Sequence, residues 1–326
     1  GFSKIGISPA EYHDNDKQFL NLWIDKGRHA TMEWISRRKE ERSNLFKYYP
    51  EAKSVITVGL NYYTGLSVKE EGFARFSNYA WGDDYHNILK SKLYTLLKKI
   101  SSLEKSLNGI ACVDTSPVME KAWAQRGGIG WIGKHTNLLT RDYSSWLFLG
   151  VLILDQKLEY DKPYQEDMCG SCTACIDECP TDALVDAYQL DSNKCISYLT
   201  IEHRGDIPKE YQNKLNDWIY GCDICQEVCP WNNKKAKIKN NFNWNLRDFF
   251  VSPELDKILQ LIETQWDEVK IKSPIKRAKK RGFLRNILIA MGNSKNSYYK
   301  PKVQKYLKSD DKILATTAKQ AILLME

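Results

Sequence analysis

The chain has no apolar run long enough to cross a bilayer. Its longest, residues 146–154, falls well short of the roughly 20 residues a spanning helix needs, so no membrane partner is expected. It begins Gly1-Phe2-Ser3-Lys4, without an initiator Met and without a signal-peptide pattern. The expected compartment is therefore the cytoplasm, and a short native segment is expected to be missing. There is no large excess of one charge: 48 basic against 41 acidic residues leave +7, which permits a polyanionic partner without requiring one. Nor is there a shortage of core-forming residues. With 42% hydrophobic and 27% charged residues the chain is neither wholly disordered nor fibrous. At about 150 residues per domain, 326 residues suggest two or three domains.

Cysteine is what the chain does have. Eight of its nine cysteines lie between Cys169 and Cys229, and the ninth is Cys112. Disulfides are rare in the cytosol, so the eight read first as metal or redox ligands. They divide the chain into three expected domains, 1–160, 161–240 and 241–326. In the first, β-branched and apolar runs at 54–60, 110–113 and 146–154 predict strands. Ile88, Leu89, Leu93, Leu96, Leu97 and Ile100 predict a helix over 86–100. Alternating strands and helices imply a layered α/β (α+β) domain. The second segment is turn-rich. From about Phe242 the chain becomes helical, with one helical face on Phe283, Leu284, Ile287, Leu288 and Met291 that stops at Gly292-Asn293-Ser294. Helices are also predicted over 299–307 and 313–324, the last with N-cap chemistry from Ser309-Asp310-Asp311. Short helices with short loops suggest a HEAT-like α-helical solenoid, although no clean repeat is visible.

Cys169-x-x-Cys172-x-x-Cys175-x-x-x-Cys179-Pro180 is the bacterial ferredoxin run, whose fourth cysteine ligates the other cluster in two-cluster proteins. A partial second run, Cys222-x-x-Cys225-x-x-x-Cys229-Pro230, lacks a leading cysteine that Cys195 can replace. Crossing the two gives one 4Fe–4S cluster on Cys169, Cys172, Cys175 and Cys229. The other is held by Cys179, Cys195, Cys222 and Cys225. The competing readings are zinc, which favours paired CxxC motifs, and disulfides, which the compartment disfavours. Cys112 reads as a small buried hydrophobe. Two clusters conduct electrons but perform no reaction, so the chemistry is expected in the first domain.

Five further segments carry a resemblance. They are Arg75-Phe76-Ser77-Asn78-Tyr79-Ala80-Trp81-Gly82-Asp83-Asp84-Tyr85-His86, Val113-Asp114-Thr115-Ser116-Pro117-Val118-Met119-Glu120, and Gly128-Ile129-Gly130-Trp131-Ile132-Gly133-Lys134-His135-Thr136-Asn137. With them go Cys195-Ile196-Ser197-Tyr198-Leu199-Thr200-Ile201-Glu202 and Tyr220-Gly221-Cys222-Asp223. Together with the cysteine runs they resemble the epoxyqueuosine reductase family over nearly the whole chain. The resemblance implies an enzyme with cobalamin and two 4Fe–4S clusters, related to reductive dehalogenases. Its reaction would be reduction of epoxyqueuosine to queuosine at the wobble position of tRNA.

Deoxygenating an epoxide needs two electrons and a proton source, and the leaving oxygen calls for a positioned acid. Asp114 ends a predicted strand and matches the family's proton-donor aspartate. Acting as an acid near neutrality would require burial or a neighbouring negative charge to raise its pKa. Asp114-Thr115-Ser116-Pro117 would equally suit the cap of a following helix. The cobalamin contacts that the resemblance implies are Arg37, Ser77, Asp114, Lys134, His135, Asn137, Leu138 and Ser197. The glycines of 127–133 would let backbone approach a flat cofactor, or simply form a turn. The chain has no Asp-x-His-x-x-Gly segment, so a lower histidine ligand to cobalt is not expected, and His135 would line the site. His86 could instead be a surface residue at a helix N-terminus.

Between Lys270 and Arg285 half of sixteen residues are basic and none is acidic. Lys276, Arg277, Lys279, Lys280, Arg281 and Arg285 are expected to meet tRNA phosphates, although a solvated helix face is the ordinary meaning of a charge run. Trp218 and Tyr220 could stack an unpaired base or pack around the clusters, whereas Trp231, beside Cys229-Pro230, is expected to pack. An external electron donor of flavodoxin or ferredoxin type is implied, and a monomer needs no further assumption. Two alternatives remain. A reductive dehalogenase-like small-molecule cobalamin reductase has no use for the basic tail, and a non-enzymatic ferredoxin-like electron carrier would bind no cobalamin. Arg37-Arg38 resembles a twin-Arg pair but no apolar region follows it, which argues against an exported dehalogenase.

Overall fold

The computed structural model describes residues 1–66, 72–238 and 244–325. The expected 240/241 boundary and the expected helical onset at Phe242 lie outside the described residues. All three predicted strands form, as Ser54–Asn61, Gly109–Cys112 and Leu147–Leu154. A fourth, Lys4–Pro9, went unpredicted because its KIGISP sequence lacks the apolar density of the others. The sheet order is Lys4–Pro9, Ser54–Asn61, Leu147–Leu154, Gly109–Cys112, and every neighbouring pair is antiparallel.

Both faces of this sheet are covered, which is why its two central strands read as continuous apolar runs rather than alternating ones. On one face Ile56, Val58, Leu152 and Leu154 pack with Leu89 and Leu93 of the Tyr85–Leu103 helix. On the other, Val55, Val151 and Ile153 pack with Leu45, Trp123 and the fully buried Cys112. Burial pushes the Cys112 thiol up to about 11, so it behaves as the apolar residue expected.

The sheet connects to the cysteine-rich segment through a short parallel pairing, Trp218 with Arg75 and Tyr220 with Phe76. Residues near the N-terminus also reach across. Trp23 Nε1 donates to the Leu190 carbonyl at 2.7 Å, and Thr31 Oγ1 lies 2.7 Å from the Tyr198 hydroxyl. One buried apolar cluster contains Ile56, Phe76, Tyr220, Phe250, Phe283 and Ala318, and so runs without a break from the sheet to the C-terminal helices.

Those helices are Leu255–Val269, Lys279–Asn293, Lys300–Gln304 and Lys312–Leu324. The predicted face of the second is buried throughout. Asp311 caps the last, accepting from the Ile313 and Leu314 N–H groups. The stretch predicted as one helix over 299–307 is broken instead into 3-10 turns flanking Lys300–Gln304. The Lys279–Asn293 helix has Ser294 at its C-terminal cap, within the expected Gly292-Asn293-Ser294 stop. Gly292 is in its last turn, where a Cβ would stand 2.8 Å from the Cα of Ala321. No helix among the described residues is long and apolar enough to cross a membrane. Gly292→Val should push the two helices apart at a cost of about 1–3 kcal/mol. A melting temperature lowered by several degrees in a thermal scan would show it, and an unchanged one would mean the helices do not meet there.

Candidate active site

Two cavities meet near the cysteines. The smaller, about 190 Å³, is bordered by Cys169, Cys172, Cys175 and Cys229, with Lys134, Met168 and Trp231. The larger, about 390 Å³, is lined by Cys179, Cys195, Cys222 and Cys225 together with Ser77, Asp114, Glu120, Lys121, Asn137 and Ser197. His135 borders both. Cys229 therefore stands with the first run and Cys179 with the second. All nine cysteines are free. Among the described residues no three His, Cys, Asp or Glu side chains converge on a point that would hold a single ion. The sulfurs border volumes instead. A still larger opening of about 930 Å³, beside Arg75, Glu227 and Asn293, holds none of the eight, so size alone does not mark the chemistry.

Asp114 follows the Gly109–Cys112 strand. It sits at the centre of a tight turn with φ of 45°, closed by the Thr115 N–H donating to the Val113 carbonyl. A non-glycine residue held in the left-handed region is strained, and such residues gather at functional sites. The capping alternative fails, because the next helix starts six residues later at Glu120 and Met119 stands at its cap.

The Asp114 Oδ2 atom lies 2.9 Å from His86 Nε2, and His86 Nδ1 lies 2.6 Å from Asp84 Oδ1. Asp84 also caps the Tyr85–Leu103 helix by accepting from the His86 N–H. His86 is thus at a helix N-terminus, as one reading had it, but is clamped between two carboxylates. Burial alone would lower its pKa; the hydrogen bonds and charges of Asp114 and Asp84 outweigh that and lift it to about 9. Burial pushes the Asp114 carboxyl up. His86, the Tyr85 hydroxyl and Arg42 more than offset this and leave it below the ordinary value. The expected upward shift of Asp114 is therefore not what its surroundings produce: the cation beside it wins. Glu120 is the carboxyl that rises, to about 7, through burial and then the Asp114 charge.

Of the residues expected to hold a cofactor, Ser77, Asp114, His135, Asn137 and Ser197 line the 390 Å³ cavity. Lys134 does not; its Nζ donates to the Gly170 and Cys172 carbonyls at 2.6 and 2.9 Å, bracing the first cysteine loop. Leu138 is buried against Ala124 and Ile129, and the exposed Arg37 follows the Glu33–Ser36 turn away from the lining. The glycines at 128 and 130 give clearance to the chain's own backbone, at the Lys162 and Leu139 carbonyls, rather than to the cavity. His135 Nδ1 accepts from the Asn137 N–H at 3.2 Å, which leaves the proton of the neutral ring on Nε2. That Nε2 is buried without a partner, as is Glu120 Oε1. Burial, then the Lys121 charge, lowers His135 to about 4, so the ring is neutral.

Sequence reasoning missed Asp84, Glu120, Lys121 and Asp223. Asp223, between two cysteines, is fully buried. It accepts from Ser77 Oγ at 2.5 Å, the Asn78 N–H at 2.7 Å, Asn78 Nδ2 at 2.8 Å and Gln226 Nε2 at 3.1 Å. Ser77 and Asn78 lie about 145 residues away along the chain, beyond any local pattern.

The basic segment is less uniform than its sequence. Arg285 is 1% exposed, and its guanidinium donates to the carbonyls of His203, Gly205 and Leu199 and to Asn286 Oδ1. This corrects its expected place on a phosphate-contacting surface. Lys276 pairs with Asp84 at 2.8 Å and Arg277 with Glu202 at 2.7 Å. Lys279, Lys280 and Arg281 lie at the start of the Lys279–Asn293 helix, where Lys280 donates to the Glu263 carbonyl and Arg281 to that of Arg204. Trp218 and Tyr220 are buried, which removes them as base-stacking surfaces, and Trp231 packs edge-on to Trp131 at 4.9 Å.

Residues 168–232 match the family described as "4Fe-4S double cluster binding domain", which makes the chain an iron–sulfur redox protein. Residues 42–115 match "Epoxyqueuosine reductase QueG, DUF1730". The epoxyqueuosine reductase of Synechocystis sp. is 41% identical over 286 residues, covering 86% of this chain and 98% of that protein. The chain belongs to the epoxyqueuosine reductase family. A crystal structure of an epoxyqueuosine reductase with an epoxyqueuosine-modified tRNA-Tyr stem loop superposes with a TM-score of 0.89 at 30% identity, over 100% of this chain and 87% of that one. The Bacillus subtilis enzyme, with its aspartate catalytic loop swung out of the active site, matches with the same score, identity and coverage.

Arg285→Met should strand three backbone carbonyls in the interior and cost about 3 kcal/mol or more, since each unsatisfied buried group costs about 1–3 kcal/mol. Chemical denaturation would read this. A variant of wild-type stability would return Arg285 to the surface.

Proposed function

We propose that this chain reduces epoxyqueuosine to queuosine in tRNA, with Asp114 and His86 as its proton-transfer pair. The observation that carries the reading is a single one. Asp114, bonded to His86 behind it, lines the same cavity as Cys179, Cys195, Cys222 and Cys225. Removing the epoxide oxygen as water takes two electrons and two protons, and this cavity places a proton source and a thiol set around one volume.

The clusters fit on donor chemistry, because each cavity offers four cysteine sulfurs, the ligand set a 4Fe–4S cluster takes. We assign Cys169, Cys172, Cys175 and Cys229 to one 4Fe–4S cluster and Cys179, Cys195, Cys222 and Cys225 to the other. Cobalamin fits on a different observation: the buried, unpartnered His135 Nε2 and Glu120 Oε1 at the larger cavity would meet the amides of such a ligand. Ser77, His135, Asn137 and Ser197 would hold it, and it would supply low-potential electrons at a carbon centre. The chain's own residues supply the rest. Near neutral pH the His86–Asp114 pair carries one proton between Nε2 and Oδ2 and hands it from Asp114 to the departing oxygen. Glu120, poised near 7, is the second proton reservoir.

The C-terminal helices form a short HEAT-like stack in this reading, supported by the face-to-face packing at Gly292 and Ala321. The exposed cations Lys279 and Arg281 at one end of that stack meet tRNA phosphates. Electrons arrive from an external flavodoxin- or ferredoxin-type donor. The three-part division at 1–160, 161–240 and 241–326 assigns cofactor, electron and tRNA roles in that order.

Anaerobic turnover of epoxyqueuosine-containing tRNA by the reconstituted protein, followed by nucleoside mass analysis, should yield queuosine. No product under full reduction overturns the activity. Asp114→Asn should keep the clusters and lose at least about 100-fold in rate, the lower range for a positioned acid; an unimpaired variant removes Asp114 as the donor. Replacing Lys279, Lys280 and Arg281 together with Ala should weaken tRNA binding and flatten its salt dependence. The crossed cysteine sets have their own test. Cys229→Ser should disturb the cluster of the first run and Cys179→Ser that of the second, as resolved by electron paramagnetic resonance. The reverse pattern refutes the crossing.

A further inference from the structure

We propose that Lys276 is a positioning residue for the proton-transfer pair, acting through Asp84, rather than a phosphate contact. The inference rests on the reading of Asp114 as the acid and goes one step behind it.

Asp84 is a carboxylate with 3% of its side chain exposed. Its two oxygens have separate tasks. Oδ1 takes both the His86 N–H and His86 Nδ1, while Oδ2 takes Lys276 Nζ at 2.8 Å. The lysine does not arrive by chance of a long side chain. The Asp84 N–H donates to the Lys272 carbonyl at 2.6 Å, and the Tyr220 hydroxyl donates to the Pro274 carbonyl at 2.7 Å. Backbone on both sides is thus fastened, and the Pro274–Ala278 turn is held against the start of the Tyr85–Leu103 helix.

The charge arithmetic gives this contact a function. Without Lys276, the Asp84 carboxylate would draw on His86 alone, and the ring would hold its proton too firmly to release it. With Lys276, the Asp84 charge is shared, and His86 keeps its orientation while its proton remains transferable. Lys121 and the Tyr79 hydroxyl face Asp114, and the Tyr220 hydroxyl faces Asp84. Asp84 and Asp114 bond to the ring, and Tyr85 stacks on it at 4.1 Å. Glu120, Arg42 and Arg277 act on Asp114.

The test is Lys276→Met in the full-length chain, with Lys276→Arg and Asp84→Asn beside it. The His86 titration is followed by NMR of the histidine-labelled protein and assigned by its loss in His86→Gln. The pH–rate profile of the reconstituted enzyme is measured in parallel. Lys276→Met should move the His86 titration upward by about one pH unit, the shift expected from removing one nearby charge. It should lower kcat several-fold and leave KM for tRNA unchanged. Asp84→Asn should move the titration the opposite way, toward the ordinary 6.5, and Lys276→Arg should restore wild-type behaviour. A raised KM with an unmoved titration would make Lys276 a phosphate contact and overturn the proposal. If Lys276→Met is too unstable to titrate, Lys276→Gln carries the same expectations. Wild-type turnover in Asp114→Asn would sink the acid reading alone, since the titration shift does not depend on it.

Discussion

Two strands of two and three residues hold the chemistry of this molecule together. Arg75–Phe76 and Trp218–Tyr220 run side by side, and the chain leaves each of them directly into the site. Ser77 follows Phe76, and Cys222 follows Tyr220 by one glycine. That glycine, Gly221, has a φ of 72°, and a Cβ there would stand 2.5 Å from the Cβ of Ser77. Only the absence of a side chain lets the two segments touch, and Asp223 then fastens them with three hydrogen bonds, from Ser77 and Asn78. A buried carboxylate with no donors would be ejected or protonated; here both oxygens are satisfied by groups that can only donate or readily do so. The sheet, the cysteine loops and the C-terminal helices each lean on this junction, and the buried apolar cluster runs straight through it.

Much of this was legible in the sequence. The three apolar strands announced themselves because both faces of the sheet are covered, and the long helix did so through its regular apolar spacing. The cysteine runs carried their own grouping, because a tight loop delivers three ligands and sends the fourth elsewhere. The Lys4–Pro9 strand and the antiparallel order were not legible. An edge strand half open to solvent has little pattern to show, and strand direction depends on connections that local composition does not encode. Within the site, Asp114 stood out through its place after a strand and through resemblance. Asp84 and Asp223 did not, because Lys276 and Ser77 lie far from them along the chain, and Glu120 did not, because burial by the fold is what sets it apart.

The basic run between Lys270 and Arg285 shows why charge cannot be read as a surface from spacing alone. Neighbouring cations in that stretch do different things. Arg285 gathers three carbonyls of the 199–205 stretch in the interior, Arg277 lies over the Trp34 ring at 4.5 Å while pairing with Glu202, and Lys276 faces Asp84. Guanidinium groups are suited to the first two tasks, since a planar fork can satisfy several carbonyls or lie flat on a ring. What is left for a polyanion is a smaller, more sharply placed set than the count of basic residues suggests.

The junction at Gly221 also bears on how the molecule is made. Its two strands are separated by more than 140 residues, and the sheet itself joins the first ten residues to 54–61 and those to 147–154. Contacts of such range form late, because the entropy of closing long loops must be overcome before they reward the chain. During synthesis the first ferredoxin run emerges long before Cys229, the residue that completes its cavity. The cavity bordered by Cys169, Cys172 and Cys175 therefore gains its fourth sulfur only when the chain closes, so the site is finished no earlier than the fold.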